Sequence, residues 1–260
     1  MLKTKHKIEP QVNFIGQNIP RLELAKQQKT IKNSISFSGI GLHSGKKINM
    51  VISPAPAGTG HLFRQRKDNG VVREIQASYK SVKSTNMCTL ISNSSGDYVS
   101  TVEHILSALY GLEIDNVFID IDSNEIPVCD GSSKIFVDKL QKTGFLQQES
   151  FKKYIKILKK VEVKSGSKVV RVVPFDQTLI TSEINFEHKV IGKQSISILL
   201  NPSIYKTQIC SARTFGFLNQ VDDLRKQGLA LGGSLDNAVV LDDHKVLNPE
   251  GLRFSDEFVR

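Results

Sequence analysis

From Thr30 onward, hydrophobic and polar positions alternate in short runs, interrupted twice by helical spacing. Ile31–Ser38 reads as a strand. Ile48, Met50 and Ile52 alternate with polar residues, as on a half-buried strand, and Pro54-Ala55-Pro56 ends that run. Leu62–Arg66 and Ile75–Tyr79 continue the pattern, Ser84–Cys88 leads into Thr89–Ile91, and Val117, Ile119 and Ile121 alternate with Phe118, Asp120 and Asp122. The period changes at Ser100–Gly111, where Val102, Ile105, Leu106 and Leu109 form one apolar stripe at helical spacing. Ser100 followed three residues later by Glu103 is a capping-box pattern that predicts a helix start there. A second helix carries Phe136, Val137 and Leu140, with an N-cap among Ser132-Ser133 and Gly144 as its stop.

Phe145–Lys153 is polar and reads as a linker. Strand patterns then recur at Tyr154–Leu158, Val161–Val163, Val169–Val173, Leu179–Phe186 and Ile196–Leu200. Ser211–Phe217 is extended, Val221–Gln227 a short helix, Leu229–Ser234 a glycine-rich loop and Val239–Leu241 a brief strand. Ser255, followed by Asp256 and Glu257, reads as the first turn of a helix. These elements predict an α+β chain with a basic extension over residues 1–29, a first domain over 30–146 and a second over 150–260. The second domain has ample sheet and almost no helix to cover it.

The 260 residues suffice for two domains, and 39% hydrophobic with 23% charged residues is the composition of a soluble globular protein. No stretch approaches a membrane span, and the N-terminus lacks a secretory pattern. Cys88, Cys129 and Cys210 are odd in number and far apart, which points to a reducing cytoplasm rather than a disulfide framework. The net charge of +9 invites a nucleic-acid partner. However, part of it lies in residues 1–29, and the rest lacks the basic-aromatic interleaving of RNA-binding surfaces, so none is expected. An anionic small molecule suits the charge as well.

The helix at Ser100–Gly111 carries the candidate chemistry. His104 lies nearly opposite the apolar stripe, surrounded by the small residues Ser107, Ala108 and Gly111. A face that small suggests that something packs against it, with a carboxylate and an imidazole side by side at the helix entrance. That pair suits a metal-bound water, His104 as ligand and Glu103 as general base. It equally suits a cap glutamate beside a surface histidine.

Seven strings in order decide between these. GIGLHSG at Gly39–Gly45, STVEHILSALYG at Ser100–Gly111, Asp115-Asn116, EIPVCDGSS at Glu125–Ser133, ARTFGF at Ala212–Phe217, Gly232-Gly233-Ser234 and the stretch from Leu247 to Arg260 are found together. So arranged, the chain from about Thr30 to Arg260 resembles the zinc-dependent UDP-3-O-acyl-N-acetylglucosamine deacetylase family of lipid A synthesis. The resemblance implies two α+β domains with helices sandwiched between the sheets. It implies His104 as a zinc ligand, Glu103 as general base and Thr214 as a stabiliser of the tetrahedral oxyanion. His43, Cys88 and Phe215 match positions near the site. Leu218, Val221, Gly233, Ser234, Leu235 and Val240 match an acyl-chain passage, in which the family often has phenylalanine where this chain has Leu235.

The family continues after D-E-F-V-R into H-K-x-x-x-D, which supplies two more zinc ligands, and then into a later histidine and a last core helix. None of these lies within the 260 residues, so the expectation is a second domain truncated before its zinc-ligand helix. The activity implied is zinc-assisted hydrolysis of the N-acetyl group of UDP-3-O-acyl-N-acetylglucosamine, by a cytoplasmic monomer. The competing reading is a non-catalytic remnant that retains a nucleotide-sugar or acyl-binding surface.

Overall fold

The computed structural model describes residues 26–66, 70 and 72–260. In chain order the first half holds β1 (Gln27–Ile31), β2 (Ile35–Ile40), β3 (Lys47–Pro54), β4 (His61–Arg66), β5 (Val72–Gln76), β6 (Val82–Ser84), β7 (Leu90–Ser92) and β8 (Tyr98–Val99). Helix α1 (Glu103–Gly111), β9 (Val117–Ile121), α2 (Lys134–Thr143) and β10 (Phe145–Phe151) follow. The second half holds β11 (Val161–Ser165), β12 (Lys168–Val172), β13 (Leu179–Asn185), β14 (Lys193–Leu199), α3 (Pro202–Gln208), β15 (Phe215–Phe217), α4 (Leu218–Lys226) and β16 (Val239–Leu241). A 3-10 turn, Glu257–Val259, comes last. The class is α+β.

The centre is a five-stranded sheet in the order β2-β3-β9-β4-β5, antiparallel except where β4 runs parallel to β9. The alternation seen in sequence explains it. Ile48, Met50 and Ile52 on β3 and Val117, Ile119 and Ile121 on β9 are all buried on one side, together with Phe63 and Ile75. Helices α1 and α2 contribute Val102, Ile105, Leu109, Phe136, Val137 and Leu140 to the same cluster. Each of these side chains contributes roughly 1.5–3 kcal/mol by leaving water. A second, smaller cluster joins Ile191, Val239, Leu241 and Phe258, with Phe215 and Phe217 packed against it.

Several expectations are corrected. The first predicted strand is two, since residues 32–34 turn between β1 and β2. Strand β1 starts at Gln27, inside the predicted extension; residues 1–25 lie outside the described residues. Tyr79 stands in a 3-10 turn rather than at a strand end. The predicted linker over 145–153 is largely β10, which pairs antiparallel with β1 through its main chain while most of its side chains face solvent. Tyr154–Leu158 forms no strand, despite its alternation. The second half is less helix-poor than expected, because Asn201 caps α3 by accepting a hydrogen bond from the Ile204 N–H, with Pro202 in the first turn.

Helix entry also differs from the capping-box expectation. Thr101 has φ +58°, Val102 precedes the helix with no side-chain cap, and Ser100 Oγ donates to the Asn124 carbonyl instead. Ser132 rather than Ser133 accepts the Lys134 N–H at the start of α2, and Ser255 caps nothing at the last turn. No helix among the described residues is long and apolar enough to cross a membrane.

One half-buried titratable group begins β4. His61 Nε2 donates to the Ile114 carbonyl at 2.8 Å, and burial holds its imidazole below the ordinary 6.5. The unfolded chain therefore binds the proton first, so stability rises with pH and is lost as pH falls below about 6.5. Urea midpoints measured from about pH 7.5 down to about pH 5.5 are expected to fall, and His61→Gln is expected to flatten that slope. An unchanged slope in the variant would assign the acid sensitivity to other groups.

Candidate active site

The small face of α1 is covered as its composition required. Tyr205 of α3 lies against it, its hydroxyl 2.8 Å from Ser107 Oγ. At Gly111 any added Cβ would sit 2.2 Å from the Tyr205 ring, so this close approach needs glycine. The first turn of α1 is thereby left at the rim of a cavity of about 350 Å³, which Glu103, His104, Ser107, Ser133, Thr214 and Phe215 help to line.

Local bonds fix both members of the Glu103–His104 pair. Glu103 Oε2 accepts the Thr89 N–H at 3.0 Å, and the His104 carbonyl accepts from Ser133 Oγ at 2.9 Å. Burial lowers the His104 pKa against the opposing pull of Glu103 and Asp130, so the imidazole is neutral at neutral pH and keeps a lone pair free for a ligand role. In the same lining, the Thr214 N–H donates to the Gly131 carbonyl at 2.7 Å and its own carbonyl accepts the Val239 N–H at 2.8 Å. Phe215 follows, stacked edge-on against Phe258 with ring centroids 5.1 Å apart.

The other residues singled out in sequence lie outside this lining. Cys88 borders the entrance of α1, with its thiol pKa raised chiefly by burial and opposed by hydrogen bonds from Thr101. His43 sits under the glycine-rich loop, where the Ala230 N–H points at its Nδ1 at 3.4 Å and its Nε2 is buried without a partner. Gly233, Ser234 and Leu235 belong to that same loop. Gly233 lies close to Leu42, the Ser234 N–H donates to Asn237 Oδ1, and Leu235 is exposed. Leu218 and Val221 are on α4, and Val240 is on β16, which runs parallel to β15. Among the described residues no three His, Cys, Asp or Glu side chains come together to hold a metal ion.

Two buried carboxylates that organise the site, Glu125 and Glu257, had no site role in the sequence reading. Glu125 accepts the N–H groups of His43 and Ser44 at 2.8 and 2.9 Å and the Thr101 hydroxyl at 3.3 Å. It thus ties the glycine turn to the entrance of α1. Glu257 accepts from Arg213 Nε and Nη2, from the Arg213 N–H and from the Arg253 N–H. This pair braces the cavity wall that carries Thr214. Glu257→Ala would leave the Arg213 guanidinium, 5% exposed as a residue, with only the exposed Glu250 as a charged partner. The loss is expected to be about 3–5 kcal/mol, read as a lower urea midpoint. A loss under about 1 kcal/mol would show that the pair is not a structural brace.

Comparison with known proteins gives the kinship. Residues 28–260 match the family described as LpxC: UDP-3-O-acyl N-acetylglycosamine deacetylase. The UDP-3-O-acyl-N-acetylglucosamine deacetylase of Idiomarina loihiensis is 46% identical over 236 residues, covering 90% of this chain and 77% of the relative. The protein of the same name from Legionella pneumophila strain Paris is 46% identical over 235 residues, and that from Pasteurella multocida 44% over 236, with the same coverage. This chain belongs to the UDP-3-O-acyl-N-acetylglucosamine deacetylase family.

Proposed function

We propose that this chain serves the hydrolysis of the N-acetyl group of UDP-3-O-acyl-N-acetylglucosamine, releasing acetate and the free amine at an early step of lipid A biosynthesis. The reading includes a cytoplasmic location and a monomeric state. The observation that supports it is the Glu103–His104 pair lining one cavity together with Thr214. Family membership supplies the substrate, since the relatives are named for it.

Each residue then has a role in this reading. The Thr89 N–H holds one oxygen of Glu103, and the other oxygen takes a proton from the attacking water. Thr214 stabilises the negative charge that develops on the acetyl oxygen. The buried Glu257–Arg213 brace keeps that wall rigid at the moment of reaction. Leu218, Val221, Gly233, Ser234, Leu235 and Val240 form the surface that receives the acyl chain, with His43, Cys88 and Phe215 nearer the sugar.

The neutral, half-buried imidazole of His104 suits a metal ligand, but a catalytic zinc takes three protein ligands, and the described residues bring no such trio together. The donor set does not amount to a zinc site, and no step is assigned to the metal. The chain is accordingly expected to retain far less than one equivalent of zinc after mild dialysis, measured by elemental analysis. Stoichiometric zinc would show that further ligands converge on His104. Calorimetry with the UDP-linked acyl sugar tests the function itself. Saturable binding that acyl-free UDP-N-acetylglucosamine competes for only weakly is the expected result, and no binding would overturn the proposed substrate.

A further inference from the structure

Thr101 stands between β8 and α1, two residues before Glu103, and holds a backbone conformation that its side chain resists. Its φ is +58°, in the left-handed region, where a β-branched residue is a genuine outlier. It is also buried, at 1% exposure. Its neighbours are fixed on both sides. The Ser100 N–H donates to the Asn124 carbonyl at 2.9 Å, and the Ser100 carbonyl accepts the Ile126 N–H at 3.1 Å. On the other side, the Val102 N–H donates to the Thr89 carbonyl at 3.4 Å, and the Thr89 N–H reaches Glu103 Oε2 at 3.0 Å. Strain of this kind persists only where the surroundings impose it, and it gathers at functional sites.

The side chain that holds Thr101 is Glu125. Its Oε1 accepts both the Thr101 hydroxyl and the His43 N–H, and its Oε2 accepts the Ser44 N–H. Successive N–H groups in such a turn make a concavity that suits an anion, and here the chain's own carboxylate fills it. Gly41 leaves the room, because an added Cβ would collide with Glu125 Oε2. The turn is itself pinned: the Leu231 N–H donates to the His43 carbonyl at 3.1 Å and the Gly232 N–H to the Leu42 carbonyl at 3.0 Å. Glu125 therefore reaches Thr101 from a fixed point. Its three donors are all uncharged, so none of them offsets the burial of its charge as an ion pair would. A carboxylate can serve all three donors with both oxygens, whereas an amide would turn an NH₂ group toward one of them.

We propose that Glu125 is a positioning residue for the deacetylation: through the Thr101 hydroxyl it holds the left-handed turn that sets Glu103 in the cavity lining. Glu125 is not in that lining and acts through Thr101. A shift of about 1 Å in a reacting group costs on the order of 10²-fold in rate, so the hold on Thr101 bears directly on turnover. The inference rests on the reading of Glu103 as general base, and its test measures the placement of Glu103 separately from its chemistry.

Thr101→Val exchanges the hydroxyl for a methyl and keeps the β-branch, so it removes the bond to Glu125 and leaves the backbone strain as it was. In the full 260-residue chain, amide exchange at Thr89, whose N–H lies on Glu103, is expected to quicken at least about tenfold. Ile52 and Ile119, paired in the central sheet, are expected to stay within about twofold. Thr101→Ser keeps the hydroxyl and is expected to restore slow exchange at Thr89. Glu125→Met, similar in length but without a strong acceptor, is expected to match Thr101→Val at Thr89. The two together are expected to exceed either alone by no more than about twofold. Acetate release by Thr101→Val is expected to fall about 10–100-fold, with KM within about threefold.

The inference is overturned if Thr101→Val leaves Thr89 within about twofold, or if Ile52 and Ile119 quicken by the same factor, which marks a bond that serves stability alone. It is equally overturned if Thr101→Ser exchanges as fast as Thr101→Val, or if Thr89 quickens while acetate release holds. Should Glu125→Met fail to fold, the two Thr101 variants decide. An unsubstituted chain that releases no acetate would overturn the proposed function, and exchange at Thr89 would still decide whether Glu125 places Glu103.

Discussion

Replacing Glu103 by glutamine is expected to lower acetate release from UDP-3-O-acyl-N-acetylglucosamine by about 10²–10⁴-fold. The amide oxygen can still accept the Thr89 N–H, so the entrance of α1 keeps its shape. What is lost is a carboxylate able to take a proton, which separates chemistry from folding. His104→Ala is expected to lower the rate as well. Equal rates for Glu103→Gln and the unsubstituted chain would assign the base elsewhere in the cavity.

Hydrogen exchange is expected to divide the chain by several orders of magnitude. Strands β3, β4 and β9 place Ile48, Met50, Ile52, Phe63 and Ile119 at 0–1% exposure, so their amides exchange only when the whole unit opens. With a stability of about 5–15 kcal/mol that corresponds to protection on the order of 10⁴ or more. Residues 153–175 are different. Residues 153–160 hold no helix or strand, and the hairpin after them buries none of its valines, so protection there is expected to be below about tenfold. Strands β15 and β16 should fall between, since Val239 and Leu241 are buried in the smaller cluster and Thr214 is bonded to Gly131. Uniform protection from Gln27 to Arg260 would show that the second half is stabilised as well as the first.

Much of the central sheet was legible because one of its faces is buried and the other is not. Burial on alternate residues is what leaves a period of two in Ile48-Met50-Ile52 and Val117-Ile119-Ile121, and the stripe on α1 is the helical equivalent. Strand β10 was unreadable for the same reason: it is held by main-chain bonds to β1 and buries no side-chain face that could write a pattern. Tyr154–Leu158 shows the converse, an alternation with no partner strand to use it. At the site, Glu103 and His104 were named from the helix itself and Thr214 and Phe215 from the resemblance, and all four line one cavity. Arg213 and Glu257 were not, because charged residues in a sequence read as solvent-facing by default. Their partnership spans 44 positions of chain, and only folding shows it.

The pairing of β1 with β10 sets a delay into the life of every new chain. Ile31 lies in register with Phe145 and Gln27 with Phe151, so beyond a single bridge from Thr30 to Asn116 the first described strand has no partner strand until more than a hundred further residues exist. At the pace of a ribosome that interval is on the order of ten seconds. Through it the sheet edge at Gln27–Ile31 is an unsatisfied row of amides and carbonyls, open to any passing extended segment. Closing so long a loop is also slow in refolding, because its entropy is lost before the contacts form. Strand β1 is therefore the last of the first-half strands to find its partner, and its edge is a point at which a chaperone could hold the chain.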